Sequence, residues 1–312
     1  MKCRSFVHIY FTAMLLLLLI GTIAACYVIK YENPELSNIS FNTLTHYKMN
    51  LKGQDNDIVL IGDSALLMGV IPHLVEEVTG HTVINLGLYG NCGVTALECL
   101  LDRYLAKNRK PSVIVIYFAA STPYFFADQK YEKTYSLIKY SSLPLQDLSR
   151  NISVTSIYVT AWTIFSRTTA SLLHRQKSRQ RFQEEMSFLE AMKGFGKNPS
   201  AQSPLSASFN VDSRQNRPLD LTFIKTMRTR YERRGIRVLF HIAPMPAGDR
   251  AHSFFQHEYA HDSDNIIELL PDRYFTDHTH MTLEGARLNS YRFAEVMKRT
   301  LCSSRVPLLH VR

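Results

Sequence analysis

Cysteine is scarce and poorly arranged for cross-linking, with five in 312 residues and no CxxC pair. That argues against a structural zinc site built on cysteine. Cys3 and Cys26 belong to the N-terminal segment that reads as a membrane anchor, leaving Cys92, Cys99 and Cys302, an odd number that permits at most one disulfide. No internal repeat is present, so a repeat architecture is excluded. Nor is there a basic arm of the kind that binds nucleic acid. The net charge of +9 comes from Lys and Arg spread along the chain. Their densest run, His174-Arg175-Gln176-Lys177-Ser178-Arg179-Gln180-Arg181, reads as a solvated face, or as a surface for an anionic envelope polymer or lipid headgroups.

What is present describes a folded protein, with 46% apolar and 20% charged residues. After Lys2 and Arg4, Phe6 to Ile29 forms 24 positions without a formal charge, enough to span a bilayer. The flanking positive charges put the first residues in the cytoplasm and the body outside it. An uncleaved anchor over 1–30 is therefore expected in the inner (cytoplasmic) membrane, with the body in the periplasm or another extracytoplasmic space. Ile23-Ala24-Ala25-Cys26 also resembles a lipoprotein cleavage box, which would leave Cys26 lipidated; a cleaved signal peptide is a further alternative. Residues 31–55 are polar with weak periodicity and read as a stalk, 56–302 as one domain, and 303–312 as a tail.

Within the domain the pattern alternates strand and helix. Ile58 to Ile61 reads as a buried parallel strand closed by Gly62-Asp63-Ser64. A helix follows to about Thr79, with Gly80 as its stop. Thr82 to Leu86 is a second strand, Val94 to Lys107 a helix, and Val113 to Phe118 the most apolar strand. This order calls for a parallel sheet with helices on both faces. The alternation breaks over about 122–218, which holds Tyr124-Phe125-Phe126, a helix from Val154 to Leu173, the basic run and a Gly, Ser and Pro-rich piece from Gly194 to Ser208. An unstructured loop of that length is not expected in a compact domain, so it reads as an inserted, lid-like helical segment. The pattern resumes with a helix to Arg234, strands Val238–Ile242 and Ile266–Leu270, and a helix from Leu283 to Leu301 capped by Thr282.

Two stretches carry chemistry. Ser64 stands at the carboxyl end of the first strand, beside a helix N-terminus that favours developing negative charge. Asp277-His278-Thr279-His280 lies just before the last helix, and in a parallel sheet the loops after strands gather at one edge, so the two should meet. Asp277 would accept the imidazole Nδ1 proton of His280, leaving Nε2 to take the proton of Ser64. Separately, His257-Glu258-Tyr259-Ala260-His261 fits the zinc-protease pattern His-Glu-x-x-His, a lesser alternative in which a helix would put two imidazoles on one face to hold zinc with Glu258 as base. Its polar flanks argue instead for a surface helix.

Gly62-Asp63-Ser64, the glycines of Asn85-Leu86-Gly87-Leu88-Tyr89-Gly90, and Asp277-x-x-His280 in this order resemble the SGNH (GDSL-like) hydrolase family over residues 56 to 302. The resemblance implies a three-layer α/β/α fold with a parallel, flavodoxin-like sheet. It makes Ser64 the nucleophile, His280 the base and Asp277 its orienting partner, with no metal or cofactor. The oxyanion would be held by the backbone of Ser64 and Gly90. The family's third block, Gly-x-Asn-Asp, is replaced by Ala119-Ala120-Ser121-Thr122, leaving Ser121 as the candidate substitute donor. With the anchor, this looks like the membrane-anchored branch that includes proteins of polysaccharide O-acetylation and teichoic-acid D-alanyl transfer. That branch implies a serine acyltransferase or esterase acting on an acylated polysaccharide or envelope polymer, with a membrane-bound O-acyltransferase as partner. The alternative is a non-catalytic scaffold subunit of such a complex.

Overall fold

In the computed structural model, which describes residues 2–37, 39–124, 131–141, 152–196 and 221–303, the chain is organised on a four-stranded sheet. Strands β1 (Ile58–Gly62), β2 (Val83–Asn85), β3 (Val113–Phe118) and β4 (Arg237–Ile242) run parallel in the order β2-β1-β3-β4. Leu60 lies opposite Asn85 on one side and Val115 on the other, and Val115 opposite Leu239. Because side chains alternate along a strand, Val59, Ile61, Ile114, Ile116, Phe118 and Phe240 enter one apolar cluster and Ile58, Leu60, Val113, Val115, Tyr117 and Leu239 another. The first is closed by helices α3 (Ser40–Met49), α6 (Gly93–Lys107) and α10 (Thr222–Glu232), through Leu44, Leu100 and Met227. The second is closed by α4 (Ser64–Gly69), α5 (Pro72–Thr79) and α12 (Leu283–Ser303), through Leu66, Val75 and Met297. Burial on both faces is why these strands are continuous apolar runs.

Two expected elements differ. The single helix expected from Ser64 to Thr79 is broken at Val70-Ile71, because the residue before a proline is driven from helical to extended backbone. Ile71 sits at φ −94°, ψ 110°, and its N–H donates to Ser290 Oγ at 2.8 Å. The strand expected over Ile266–Leu270 shrinks to β6 (Leu269–Leu270), which pairs with β5 (Met245–Pro246) outside the four-stranded sheet. Side chains cover the outer edge of β4 instead. Asp264 Oδ2 accepts from Phe240 N at 2.6 Å and Asn265 Oδ1 from Ile242 N at 2.9 Å.

Helix α1 (Lys2–Lys30) is long and apolar enough over Ile9–Lys30 to cross a membrane. Its residues from Ile9 to Ile20 are exposed, whereas Ala25 and Ile29 are buried in the first apolar cluster. Residues 31–55 are not the free stalk that their polarity suggests. They form α2 (Pro34–Ser37) and α3, with Asn42, Thr43, Thr45 and Lys48 buried. Polar groups hold them there: Glu32 accepts from Asn42 Nδ2 at 3.1 Å, Tyr135 OH at 2.8 Å and Lys139 Nζ at 2.7 Å.

The inserted segment is helical, with α7 (Tyr131–Tyr140), α8 (Val154–Leu172) and α9 (Arg175–Ala191). Helices α7 and α8 pack on α1, and α9 packs on α2 and α3. Just beyond α9 the chain is tied to the sheet edge, where Lys193 O accepts from Asn85 N at 3.0 Å and Gly196 N donates to Leu67 O at 2.8 Å. Phe125-Phe126, the Gly, Ser and Pro-rich stretch beyond Gly196, and the tail after Ser303 lie outside the described residues.

Candidate active site

Strand β1 ends on a glycine for a steric reason. A Cβ on Gly62 would come within 1.8 Å of the Tyr117 carbonyl oxygen on the neighbouring strand. The chain then turns, and Asp63 caps α4 by accepting Ala65 N–H at 2.9 Å. This delivers Ser64, 9% exposed, at the carboxyl end of the sheet.

The second stretch forms a short loop closed by an antiparallel bridge between Phe275 and Met281. Thr276 N donates to His280 O across it at 2.8 Å. Inside the loop, Asp277 Oδ1 accepts the N–H groups of Thr279 and His280, both at 2.8 Å, while Oδ2 lies 2.7 Å from His280 Nδ1. His280 Nε2 in turn lies 2.8 Å from Ser64 Oγ. Thr282 caps α12 as expected, accepting from Gly285 N at 3.1 Å. With the carboxylate on Nδ1, that nitrogen carries the imidazole proton and Nε2 is the acceptor facing the hydroxyl. Partial burial pushes the Asp277 carboxyl up, but the imidazole and the two backbone donors outweigh it and hold its pKa at about 2.

Sequence reasoning missed what fixes the serine loop. Asp63, besides capping α4, accepts from Ala119 N at 3.0 Å and from Thr122 Oγ1 through its other oxygen, joining the ends of β1 and β3. Burial raises its pKa, and the three donors offset part of that rise. On the other side, the Asn85 side chain donates to Leu66 O and Val70 O, both at 2.9 Å, and accepts from Gly87 N at 2.8 Å. The buried Lys48 ammonium donates to Gly87 O, and burial lowers its pKa well below the usual lysine value. Gly87 is thus held through both its N–H and its carbonyl, and at the far end of the loop Gly90 stands against Asp63. Among the described residues, neither Ser64 N–H nor Gly90 N–H meets a protein acceptor. An Asp just before the serine is a readable cap signal. Nothing in a polar stretch marks Lys48 as interior.

Ser121 lines a small cavity with His278, Thr279 and Asp249, and among the described residues no hydrogen bond joins it to Ser64. Helix α11 (His252–Glu258) closes at Glu258, so His261 lies in the turns beyond and does not share a helical face with His257. A larger apolar cleft of about 750 Å³ adjoins the histidine loop, walled by Met68, Leu74, Phe188, Met192, Phe195 and Met281. Ser64 and His280 are not part of its lining.

No protein-family model matches the chain, and no curated protein matches it.

Proposed function

We propose that this chain is a membrane-anchored serine acyl-transfer enzyme of SGNH type, a three-layer α/β/α domain whose body faces the extracytoplasmic space. The observation that carries this reading is the line of hydrogen bonds from Ser64 through His280 to Asp277, at 2.8 and 2.7 Å. Ser64 Oγ attacks the acyl carbonyl carbon while His280 Nε2 takes its proton. The negative charge of the tetrahedral intermediate falls to the N–H groups of Ser64 and Gly90. Collapse expels the first alcohol, which takes the proton back from His280 and leaves acyl-Ser64. An acceptor hydroxyl, or water, then reverses the sequence. Asp277 keeps the imidazole in one tautomer and steadies the imidazolium.

The reading extends to O-acetyl groups on a cell-envelope or secreted polysaccharide, with a membrane-bound O-acyltransferase as the partner that supplies the acyl group. Burial of Ala25 and Ile29 favours an uncleaved anchor over a lipoprotein at Cys26, since cleavage there would strip Ala25 from the core. The missing third-block asparagine, replaced by Ala119-Ala120-Ser121-Thr122, favours the rival, a non-catalytic scaffold subunit.

The test is turnover of p-nitrophenyl acetate by the full chain in detergent, with Ser64→Ala alongside and a polysaccharide acceptor in a second run. Turnover lost in Ser64→Ala supports the triad, and acetyl on the polysaccharide distinguishes transfer from hydrolysis. Activity that survives Ser64→Ala but dies with a chelator sinks the triad. Inactivity with the membrane partner present favours the scaffold.

A further inference from the structure

Helix α8 turns an apolar stripe outward. Thr160, Ala161, Ile164 and Ser171 face the protein, whereas Val159, Trp162, Phe165 and Leu172, spaced at three, three and seven residues, are exposed. Trp162 is 68% exposed, with its ring 6.0 Å from that of Phe165. A helix facing water carries charge on such a stripe, yet Arg167 is the sole charged residue in the 19 residues of α8.

The position of α8 says what covers the stripe. Tyr158 OH donates to Leu18 O at 3.1 Å, in the middle of the apolar run of α1, and stands within 3.3 Å of Thr22 Oγ1. Gly21 leaves room for that ring, since a Cβ there would come within 2.5 Å of the hydroxyl. Helix α8 also packs on α2, which follows α1, so the two helices run side by side toward the body. Leu18 lies twelve residues before Lys30, about 18 Å along the helix at 1.5 Å per residue. The start of α8 is therefore level with the end of Met14–Ile20, a wholly apolar and largely exposed stretch of α1. At its other end, α8 runs into exposed Arg175, Lys177 and Arg181, suited to anionic headgroups.

We infer that α8 lies in the bilayer beside α1, its Val159, Trp162, Phe165 and Leu172 stripe against lipid and its basic end at the headgroups. The inference rests on α1 being a membrane anchor, and the test separates the two. Trp162 is the single tryptophan of the chain, so its emission reports one place. The full chain is reconstituted alone into phosphatidylcholine and phosphatidylglycerol vesicles and floated after a carbonate wash. Its emission is then read in ordinary vesicles, in vesicles of lipids brominated on the acyl chain, and with iodide in the water. The expected result is flotation, strong quenching by the brominated lipid and little quenching by iodide. Flotation with iodide-quenched emission overturns the placement of α8 while the anchor stands. Protection from both quenchers also overturns it, in favour of a protein partner on this face. Failure to float overturns the anchor, and the placement of α8 with it.

Discussion

Two pairs, each a carboxylate facing a nitrogen donor, meet at the same distance in opposite settings in this molecule. At the carboxyl edge of the sheet, Asp277 Oδ2 lies 2.7 Å from His280 Nδ1, with the two side chains 48% and 28% exposed. Where α1 enters the body, Lys139 Nζ lies 2.7 Å from Glu32 Oε2, with side chains 8% and 0% exposed. The second pair is wrapped further by Asn42, by Tyr135 OH, and by the rings of Tyr135 and Tyr140, whose centroids lie 5.5 and 5.9 Å from the ammonium. A pair open to solvent can gain and lose a proton during a reaction at small cost. A pair taken out of water holds its partners together, because separating them strands a charge in a low dielectric. One setting suits chemistry and the other suits a joint.

Substitutions can break this contrast, the largest effect coming first. On the proposed reading, Ser64→Ala should lower acetyl-ester turnover on the order of 10⁴-fold to 10⁶-fold with no change in melting temperature, since it would remove the nucleophile and little else. Asp277→Asn should cost about 10⁴-fold in kcat by stabilising the wrong imidazole tautomer. A loss in proportion to melting temperature instead would make Asp277 structural. At the joint, Lys139→Met should cost about 3–5 kcal/mol in denaturant unfolding by leaving Glu32 buried and unpaired. Glu32→Gln added to Lys139→Met should recover much of that loss. Recovery failing would show that the pair contributes shape rather than charge compensation.

The smallest effect concerns His241, buried on β4, whose Nε2 has no partner among the described residues. Burial lowers its pKa from 6.5 to about 4, with Asp264 opposing. The folded protein therefore binds this proton less readily than the unfolded chain. Stability from neutral His241 is whole above pH 6.5 and is lost as pH falls toward 4, by at most about 3 kcal/mol at 1.36 kcal/mol per unit. Thermal melts at pH 7 and pH 5 should show a smaller acid drop in His241→Leu than in the native chain. Equal drops would assign the acid sensitivity elsewhere.

The sheet was legible because its strands are built on short apolar runs buried on both faces, and such a run closed by turn residues fits a buried strand better than a helix. The meeting of Ser64 with the Asp277 loop was legible from topology alone, since parallel strands deliver their following loops to one edge. The region from 31 to 55 misled because its polar residues are interior. Asn42, Thr43, Thr45 and Lys48 read as solvent-facing but are buried, Asn42 accepting from Tyr131 OH at 3.1 Å and Lys48 donating to Gly87 O, both supplied by other segments. The edge of the sheet beside β4 misled for a related reason. Asp264 and Asn265 imitate a neighbouring strand with their side chains, which no periodicity reveals. The bridge from Asp63 to Ala119 and Thr122 spans 56 and 59 residues and leaves no local trace.

Burial of the last turns of α1 in the core has a mechanical consequence. A catalytic head on a slack tether sweeps a hemisphere and meets acceptors at many heights above the bilayer. On the reading proposed above α1 is the membrane rod, and it shares one set of packed side chains with the body, Ile29 being wholly enclosed. The serine is therefore held at one altitude and one tilt. On the proposed reading, a growing polymer is worked on where it crosses that altitude, and reach is set by the polymer's own length rather than by any swing of the enzyme.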